Sequence, residues 1–204
     1  MSKLIIIYTL DTSTSLVVGT TNHSIILYLH KVNKLTFFLL AIVFTACTEI
    51  SYKEPQPKGI KILASVPEKL HGTYLMDGDT VTFFAQGFRA MDNKKEDVLY
   101  LSDSITLKKY KNYYFVSYRE GYEWLLRILK PQKNGDLLML EMDHVPDDVV
   151  QRKQFIETLS KETPVIETTV DSVTHFVIDP SAKKLYDLIQ KGFFKEKKPL
   201  VKIN

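Results

Sequence analysis

The chain's single cysteine is preceded by a short basic stretch, an apolar run and two small residues, and this order limits which part of the chain has to fold. Lys31 and Lys34 precede the apolar run 35–44, and the two small residues then lead to Cys47. Charge, apolar stretch and small-residue cleavage site are the parts of a secretory signal. The run is too short to cross a bilayer, which takes about 18–20 apolar residues. We therefore expect residues 1–46 to be removed, which leaves enough chain for one core.

The end of this segment, Phe44-Thr45-Ala46-Cys47, resembles the lipobox of bacterial lipoprotein precursors, although phenylalanine stands where leucine is usual. The resemblance covers residues 31–47 and does not extend to the rest of the chain. It implies a lipoprotein signal peptide over 32–46, cleavage before the cysteine, and a diacylglycerol on the thiol of Cys47. The protein would then be held on a membrane of the cell envelope by that lipid. The alternative is a buried N-terminal helix that ends in an ordinary core cysteine.

The distribution of charge indicates where in the cell envelope the protein lies and which class of partner it does not bind. No acidic cluster follows Cys47, and lipoproteins displayed on the surface of some envelopes resemble one another in having one. This favours an outer-membrane position facing the periplasm. The whole chain has 27 basic and 24 acidic residues, and this near-balance argues against nucleic-acid binding, which needs a concentrated basic face. The lysines between residues 183 and 198 are interpreted as a solvated helix face with a basic tail.

Two segments flank the predicted signal peptide. Residues 1–31 lack the short basic character of a signal start, so we expect an upstream extension from a misassigned start, with the functional start near Val32. A genuine membrane or folded element in this stretch is the alternative. Residues 47–61 contain two prolines and a glycine among scattered charges, which predicts a flexible tether that lifts the domain off the membrane. A single folded domain is then expected over 62–204.

Short segments rich in aromatic and β-branched residues fill the first half of this domain, with turn signals between them. Asp77-Gly78 and Asn134-Gly135 are strong hairpin signals. Two helices are predicted later, the first capped by Asp147 or Asp148 and the second starting at Asp179-Pro180. A single cysteine excludes an intramolecular disulfide, so the fold depends on its core. The sequence predicts an α+β fold, an antiparallel β-meander (barrel or sandwich) followed by two helices.

Recognisable motifs for catalysis or metal binding are missing from the sequence. The histidines of the mature part, His71, His144 and His175, have no metal-ligand spacing. There is also no nucleophile elbow and no glycine loop that could cradle a phosphate. We therefore expect no cofactor and no metal. A hydrolase with unrecognised residues, for example His144 with Asp143 or the pair Asp103-Ser104, stays an alternative, because partners from distant parts of a chain are invisible in the sequence.

An aromatic cluster between residues 110 and 124 is the strongest candidate for a binding surface. Along a strand, Tyr114 and Tyr118 share one face, and Phe115 lies on the other. Because Phe115 lacks a hydroxyl, we expect its face to be the core, and the tyrosine face to bind a partner together with Tyr122 and Trp124. The simpler interpretation, which the common occurrence of aromatics in strands favours, is sheet packing.

Three functions are consistent with these observations. The leading hypothesis is a membrane-tethered lipoprotein of the cell envelope that acts as a non-enzymatic binding or assembly module for a protein or glycan partner. The second is a barrel-type carrier of a small apolar ligand, which requires an internal cavity. The third is the hydrolase described above, which requires its catalytic groups to converge.

Overall fold

Two sheets and two helices account for most of the described residues, which are 50–92, 95–142, 145–146, 148–170, 173–197 and 199–203 of a computed structural model. The strands of the large sheet are β1 (Ile50–Tyr52), β6 (Ile105–Tyr110), β7 (Tyr113–Glu120), β8 (Glu123–Pro131), β9 (Leu137–Met142), β10 (Val165–Val170), β11 (Val173–Ile178) and β12 (Phe194–Glu196). Those of the small sheet are β2 (Gly72–Met76), β3 (Asp79–Phe84), β4 (Gly87–Asp92), β5 (Lys95–Tyr100) and β13 (Val201–Lys202). The helices are α1 (Val149–Ser160) and α2 (Ala182–Gln190), and a single 3₁₀ turn spans Glu68–Leu70.

The predicted α+β class is confirmed, with a β-rich first part followed by two helices. Neither sheet closes into a barrel. The predicted hairpin at Asp77-Gly78 joins β2 to β3, and the two turn residues have φ values of 56° and 94°. Positive φ at both central positions is what a two-residue type I′ turn requires. The predicted turn at Asn134-Gly135 lies between β8 and β9.

The large sheet divides at its longest strand, β8. One edge of β8 pairs with β7. Along the other edge β1 pairs first, with Tyr52 opposite Trp124, and β9 pairs further on, with Ile128 opposite Leu140. β1 also pairs in parallel with β11, whose second neighbour is β10. β1 is therefore an internal strand that joins the β10–β11 hairpin to β8.

Strand β7 is packed on both of its faces. Tyr113 and Phe115 contribute to a cluster beneath α1 and α2, here called the helix-side core. Tyr114 and Val116 contribute to a second cluster beneath the small sheet, here called the inter-sheet core. The helix-side core includes Leu159 of α1 and Leu185, Leu188 and Ile189 of α2, and the inter-sheet core includes Leu70, Tyr74 and Phe83. Both cores are filled with side chains, so the alternation along β7 separates two cores rather than a core from solvent.

Side-chain oxygens cap both helices. Asp148 caps α1 as predicted, and its carboxylate accepts a hydrogen bond from the backbone N–H of Gln151 at 2.9 Å. The second helix starts later than predicted, because its cap is Ser181 rather than Asp179. The carboxylate of Asp179 instead accepts a hydrogen bond from Lys58 Nζ at 2.6 Å.

The predicted flexible tether over 47–61 is wrong from Ile50 onward. All three residues of β1 are at most 5% exposed, and they pair with strands on both sides. The described part of the folded domain thus begins at Ile50, twelve residues before the predicted boundary at residue 62. The predicted extension over 1–31, the predicted signal peptide over 32–46 and Cys47 itself lie outside the described residues.

The segment after β1 is also part of the fold. Gln56 is completely buried, and its backbone N–H donates to Ser117 Oγ at 3.0 Å. The ammonium of Lys108 donates to the carbonyl oxygens of Pro55 and Pro57 at 2.7 and 3.0 Å. Composition suggested a tether because prolines and charges are typical of linkers. In the fold, the proline carbonyls are instead satisfied by a buried lysine from β6, a contact between residues far apart in the sequence.

Candidate functional site

The predicted surface of exposed tyrosines does not form. Tyr114 is 1% exposed and lies in the inter-sheet core, and Trp124 is 5% exposed and lies in the helix-side core. Tyr118 is half-buried. Only Tyr122 of the four candidates is well exposed, at 97%, in the turn between β7 and β8. The predicted tyrosine surface does not form because β7 has a packed layer on each side. Neither face of the strand is exposed over Tyr113–Ser117.

One predicted residue, Trp124, lines an open cavity of about 320 Å³ at the end of the large sheet where β6 begins. A second part of the lining comes from the segment 62–64, which runs along the edge of β6. Leu63 N–H donates to the Leu107 carbonyl at 2.8 Å and holds this wall in place. The remaining wall is the bend 101–105 before β6. We call this site the Trp124 cavity.

Polar groups in and beside the Trp124 cavity lack protein partners among the described residues. Thr106 lines the cavity and is 3% exposed, and its hydroxyl has no hydrogen bond. Gln56 follows the lining residue Pro55 in the sequence, and its side-chain carbonyl oxygen also has no hydrogen-bond partner among the described residues. Buried polar atoms are normally satisfied by protein, water or ligand. The cavity therefore combines an indole ring with aliphatic walls, and the Thr106 hydroxyl beside it is buried without a protein partner among the described residues.

Trp124 lies between two paired strands, and its ring contacts a cation from one of them. The guanidinium of Arg119, its cross-strand partner on β7, lies 5.2 Å from the ring centre. Tyr52 of β1 pairs with Trp124 on the other side. Such a cation–π contact stabilises the ring, by about 0.5–1 kcal/mol at an exposed site. The indole is thus a fixed wall of the cavity.

The buried ammonium of Lys108 sets the position of Pro55 on the cavity wall. Burial lowers the pKa of Lys108 below its ordinary value of 10.5, and the carboxylate of Glu54 acts in the opposite direction. The two carbonyls that accept from this ammonium offset part of the cost of removing it from water. Lys108 therefore holds the segment 55–57 in place, and its Nζ is already hydrogen-bonded.

The predicted pair Asp103-Ser104 lies in the bend before β6, and only Asp103 of the two lines the cavity. Ser104 N–H donates to Ser102 Oγ at 3.2 Å, which makes this a local turn. Asp103 and Ser102 both line the cavity. The other proposed hydrolase residues, Asp143 and His144, lie outside the described residues.

A second polar cluster lies on the face of the large sheet opposite the helix-side core. Ser51 Oγ donates to Glu123 Oε2 at 2.5 Å, and His175 Nδ1 lies 3.7 Å from the same oxygen. A catalytic serine would need a base to take its proton and an exposed oxygen. Ser51 is 3% exposed and its proton is directed at a carboxylate. The arrangement links β1, β8 and β11 and lacks the order of a nucleophilic triad.

Neither a metal-binding group nor a membrane-crossing helix is present among the described residues. Within the described ranges, no group of three or more His, Cys, Asp or Glu side chains is placed to hold a metal ion. No helix among the described residues is long and apolar enough to span a bilayer. The expectation that no cofactor binds stays a prediction.

Comparison with protein-family models, with curated proteins and with solved structures finds no match to this chain.

Sequence reasoning missed most of the lining of the Trp124 cavity. The run Asp103-Ser104-x-Thr106 was visible as a polar stretch before a strand. The part of the lining from 62–64 could not be predicted, because this segment pairs with β6 across more than forty residues of sequence. Trp124 was found through its aromatic character alone.

Proposed function

We propose that the protein is a lipid-anchored, non-enzymatic binding or assembly module of the bacterial cell envelope, at the outer membrane and facing the periplasm. The observation that carries the proposal is the order of charge, apolar run and small residues that ends at Cys47, the chain's single cysteine. The lipidated cysteine would lie directly ahead of β1, the first described strand of the fold.

The Trp124 cavity supports the binding part of the proposal. It is open, it joins one aromatic ring to aliphatic and hydroxyl groups, and its size is at the lower end of the range for small-molecule sites, about 300–1,000 Å³. We propose that it accepts a sugar unit or a side chain from an envelope glycan or protein. The barrel-type carrier has less support, since the sheets are open and both cores are filled.

Metabolic labelling tests the anchor. We expect the wild-type protein to incorporate a clickable fatty acid and to sediment with membranes, and Cys47→Ser to lose both properties. Thr48→Ser, a conservative change at the next residue, is the matched control and should label as the wild type does. Equal labelling of Cys47→Ser and the wild type would contradict the lipoprotein proposal.

Intrinsic fluorescence tests the cavity, because Trp124 is the single tryptophan of the chain and its emission reports on this site alone. We expect soluble peptidoglycan fragments, which carry both sugars and short peptides, to shift or quench the emission in a saturable manner. Ser102→Tyr, which fills the cavity from its rim, should weaken that response, and Tyr122→Ala should not. If no fragment alters the emission at any concentration, the glycan assignment is wrong.

A further inference from the structure

The chain between the proposed lipid anchor and the folded domain is very short. Ile50 is the third residue after Cys47. A fully extended chain spans at most about 3.3–3.6 Å per residue, so the two Cα atoms are separated by no more than about 11 Å. This is roughly the diameter of one α-helix with its side chains, about 10–12 Å. Ile50 is 5% exposed between two strands, so it cannot move away from the domain to lengthen the link.

Strand pairing identifies which other elements lie near the start of β1. β11 runs parallel to β1, with Ile50 opposite Phe176, so both strands begin at the same end of the sheet. β9 runs antiparallel to β8 on the same edge as β1, and it ends towards the position where β1 begins. Val145 follows β9 and packs in the same core as Ile50. α1 begins four residues after Val145, and the strand that follows α1 starts at Val165, opposite Ile178 at the far end of β11, so we place the first turn of α1 towards the start of β1.

The first turn of α1 exposes apolar side chains. Val149 is 73% exposed and Val150 is 63% exposed. Two adjacent exposed valines at a helix start are unfavourable in water, and their transfer to an apolar environment is favourable. The side chain of Lys153, one turn further on, is 77% exposed and lies 3.9 Å from the Glu157 carboxylate, and an ammonium at this position suits the phosphates of anionic lipids. The carboxylate of Asp148 is used as the helix cap.

We infer that this end of the domain rests directly on the membrane, with Val149 and Val150 inserted at the level of the lipid headgroups. The inference rests on the proposed lipid anchor at Cys47. The occupant of the valine surface is the bilayer that holds the anchor, because a link of about 11 Å brings this end of the domain to the bilayer surface. The turn between β7 and β8, which carries Tyr122, lies beyond the Tyr52–Trp124 pair, at the opposite end of β1, and faces away from the membrane.

Depth-dependent fluorescence quenching tests this placement. Acylated full-length protein is prepared with Val149→Cys, Val150→Cys or, as the matched control, Tyr122→Cys. Because the only natural cysteine carries the lipid, each introduced thiol is the single site for an environment-sensitive dye. The proteins are reconstituted in vesicles of phosphatidylethanolamine and phosphatidylglycerol that contain a spin-labelled lipid. We expect blue-shifted emission and several-fold stronger quenching at positions 149 and 150 than at 122.

The possible outcomes separate the inference from the proposed function. If the acylated protein floats with the vesicles and quenching is equally weak at all three positions, the anchor is real and the membrane placement is wrong. If the protein is not acylated and does not float, the proposed anchor fails and the placement fails with it. Strong quenching at one valine position and weak quenching at 122 supports the placement, since a label can perturb one position alone.

Discussion

Tyr114 and Phe115 are adjacent residues that belong to different cores. Tyr114 packs beneath the small sheet, and Phe115 packs beneath the helices. The sequence predicted correctly that they face opposite ways, since that follows from strand geometry alone. It could not predict that the tyrosine face is also covered, because the covering layer comes from Leu70, Tyr74 and Phe83, far away along the chain.

Alanine at either position should therefore be strongly destabilising. We expect Tyr114→Ala and Phe115→Ala each to lower the free energy of unfolding by about 3–5 kcal/mol, as for other buried aromatics. Tyr122→Ala, at an exposed turn position, should change it by no more than about 0.5 kcal/mol. Urea denaturation gives the three values. A small loss for Tyr114→Ala would mean that the inter-sheet core does not close over this ring.

Thr106 and Ser117 are cross-strand partners with different hydrogen bonding, and they provide a matched pair of variants. Ser117 Oγ accepts from the Gln56 N–H, whereas Thr106 Oγ1 has no partner among the described residues. We expect Ser117→Ala to cost about 1 kcal/mol, and Thr106→Val, which keeps the shape, to be neutral or stabilising. Urea denaturation compares the two. Equal losses would show that the threonine hydroxyl is satisfied, for example by a fixed water.

At the level of elements, local signals predicted hairpins and helices better than they predicted the path of the chain between them. Asp77-Gly78 specified its turn because only a few residues adopt positive φ readily. β1 was missed because three residues carry little pattern, and its pairing with β11 is parallel and spans more than a hundred residues. Pro55 and Pro57 then made the segment resemble a linker.

Glu162 joins the end of α1 to α2 through two ammonium groups, at 2.6 Å from Lys191 and 3.3 Å from Lys184. The hydrogen bond from Lys191 is the largest cause that lowers the pKa of Glu162 below 4.5, with Lys184 adding to it and burial opposing it. A depressed carboxyl pKa contributes stability above the unfolded value, and this is lost as the pH falls through the folded value.

We therefore expect the stability difference between the wild type and Glu162→Gln to be constant at neutral pH and to shrink as the pH falls below 4.5. Urea midpoints measured across that range give the difference directly. The effect should weaken in high salt, because the pairs are at the surface. Glu157→Gln is the control, since its ammonium partner Lys153 lies 3.9 Å away. A difference that does not depend on pH would contradict the ionic origin.

For the whole molecule, the α+β class and the order of strands before helices followed from the sequence, and the division into two cores did not. Periodicity distinguishes strands from helices within a few residues. It does not indicate which sheet a strand joins, and β6 to β9 belong to one sheet while β2 to β5 belong to another. The Trp124 cavity depends on that assembly, because its walls come from β8, from the start of β6 and from the segment after β1.

If Cys47 carries the proposed lipid, the three-residue step from Cys47 to Ile50 leads to a prediction about the height of the domain above the membrane. Insertion of a twenty-residue Gly/Ser linker between Glu49 and Ile50 adds a random coil of about 25 Å, from about 5–6 Å times the square root of its length. Energy transfer from a dye at Tyr122→Cys to an acceptor in the lipid headgroups should then fall. The same insertion between Asp103 and Ser104, in the bend before β6 at the opposite end of the sheet, should leave the transfer unchanged. Identical transfer in both proteins would show that the natural link is already long.

The internal position of β1 has a mechanical consequence. A lipid at Cys47 would pull the domain through the first residue of a strand that is hydrogen-bonded to β11 on one side and β8 on the other. Because those bonds lie across the strand, a pull along it loads them in shear and together, whereas a pull on an edge strand opens its bonds one after another. A force applied through the lipid would thus act at the same time on the strands on both sides of β1. Trp124, which pairs with Tyr52, would be among the residues that transmit it.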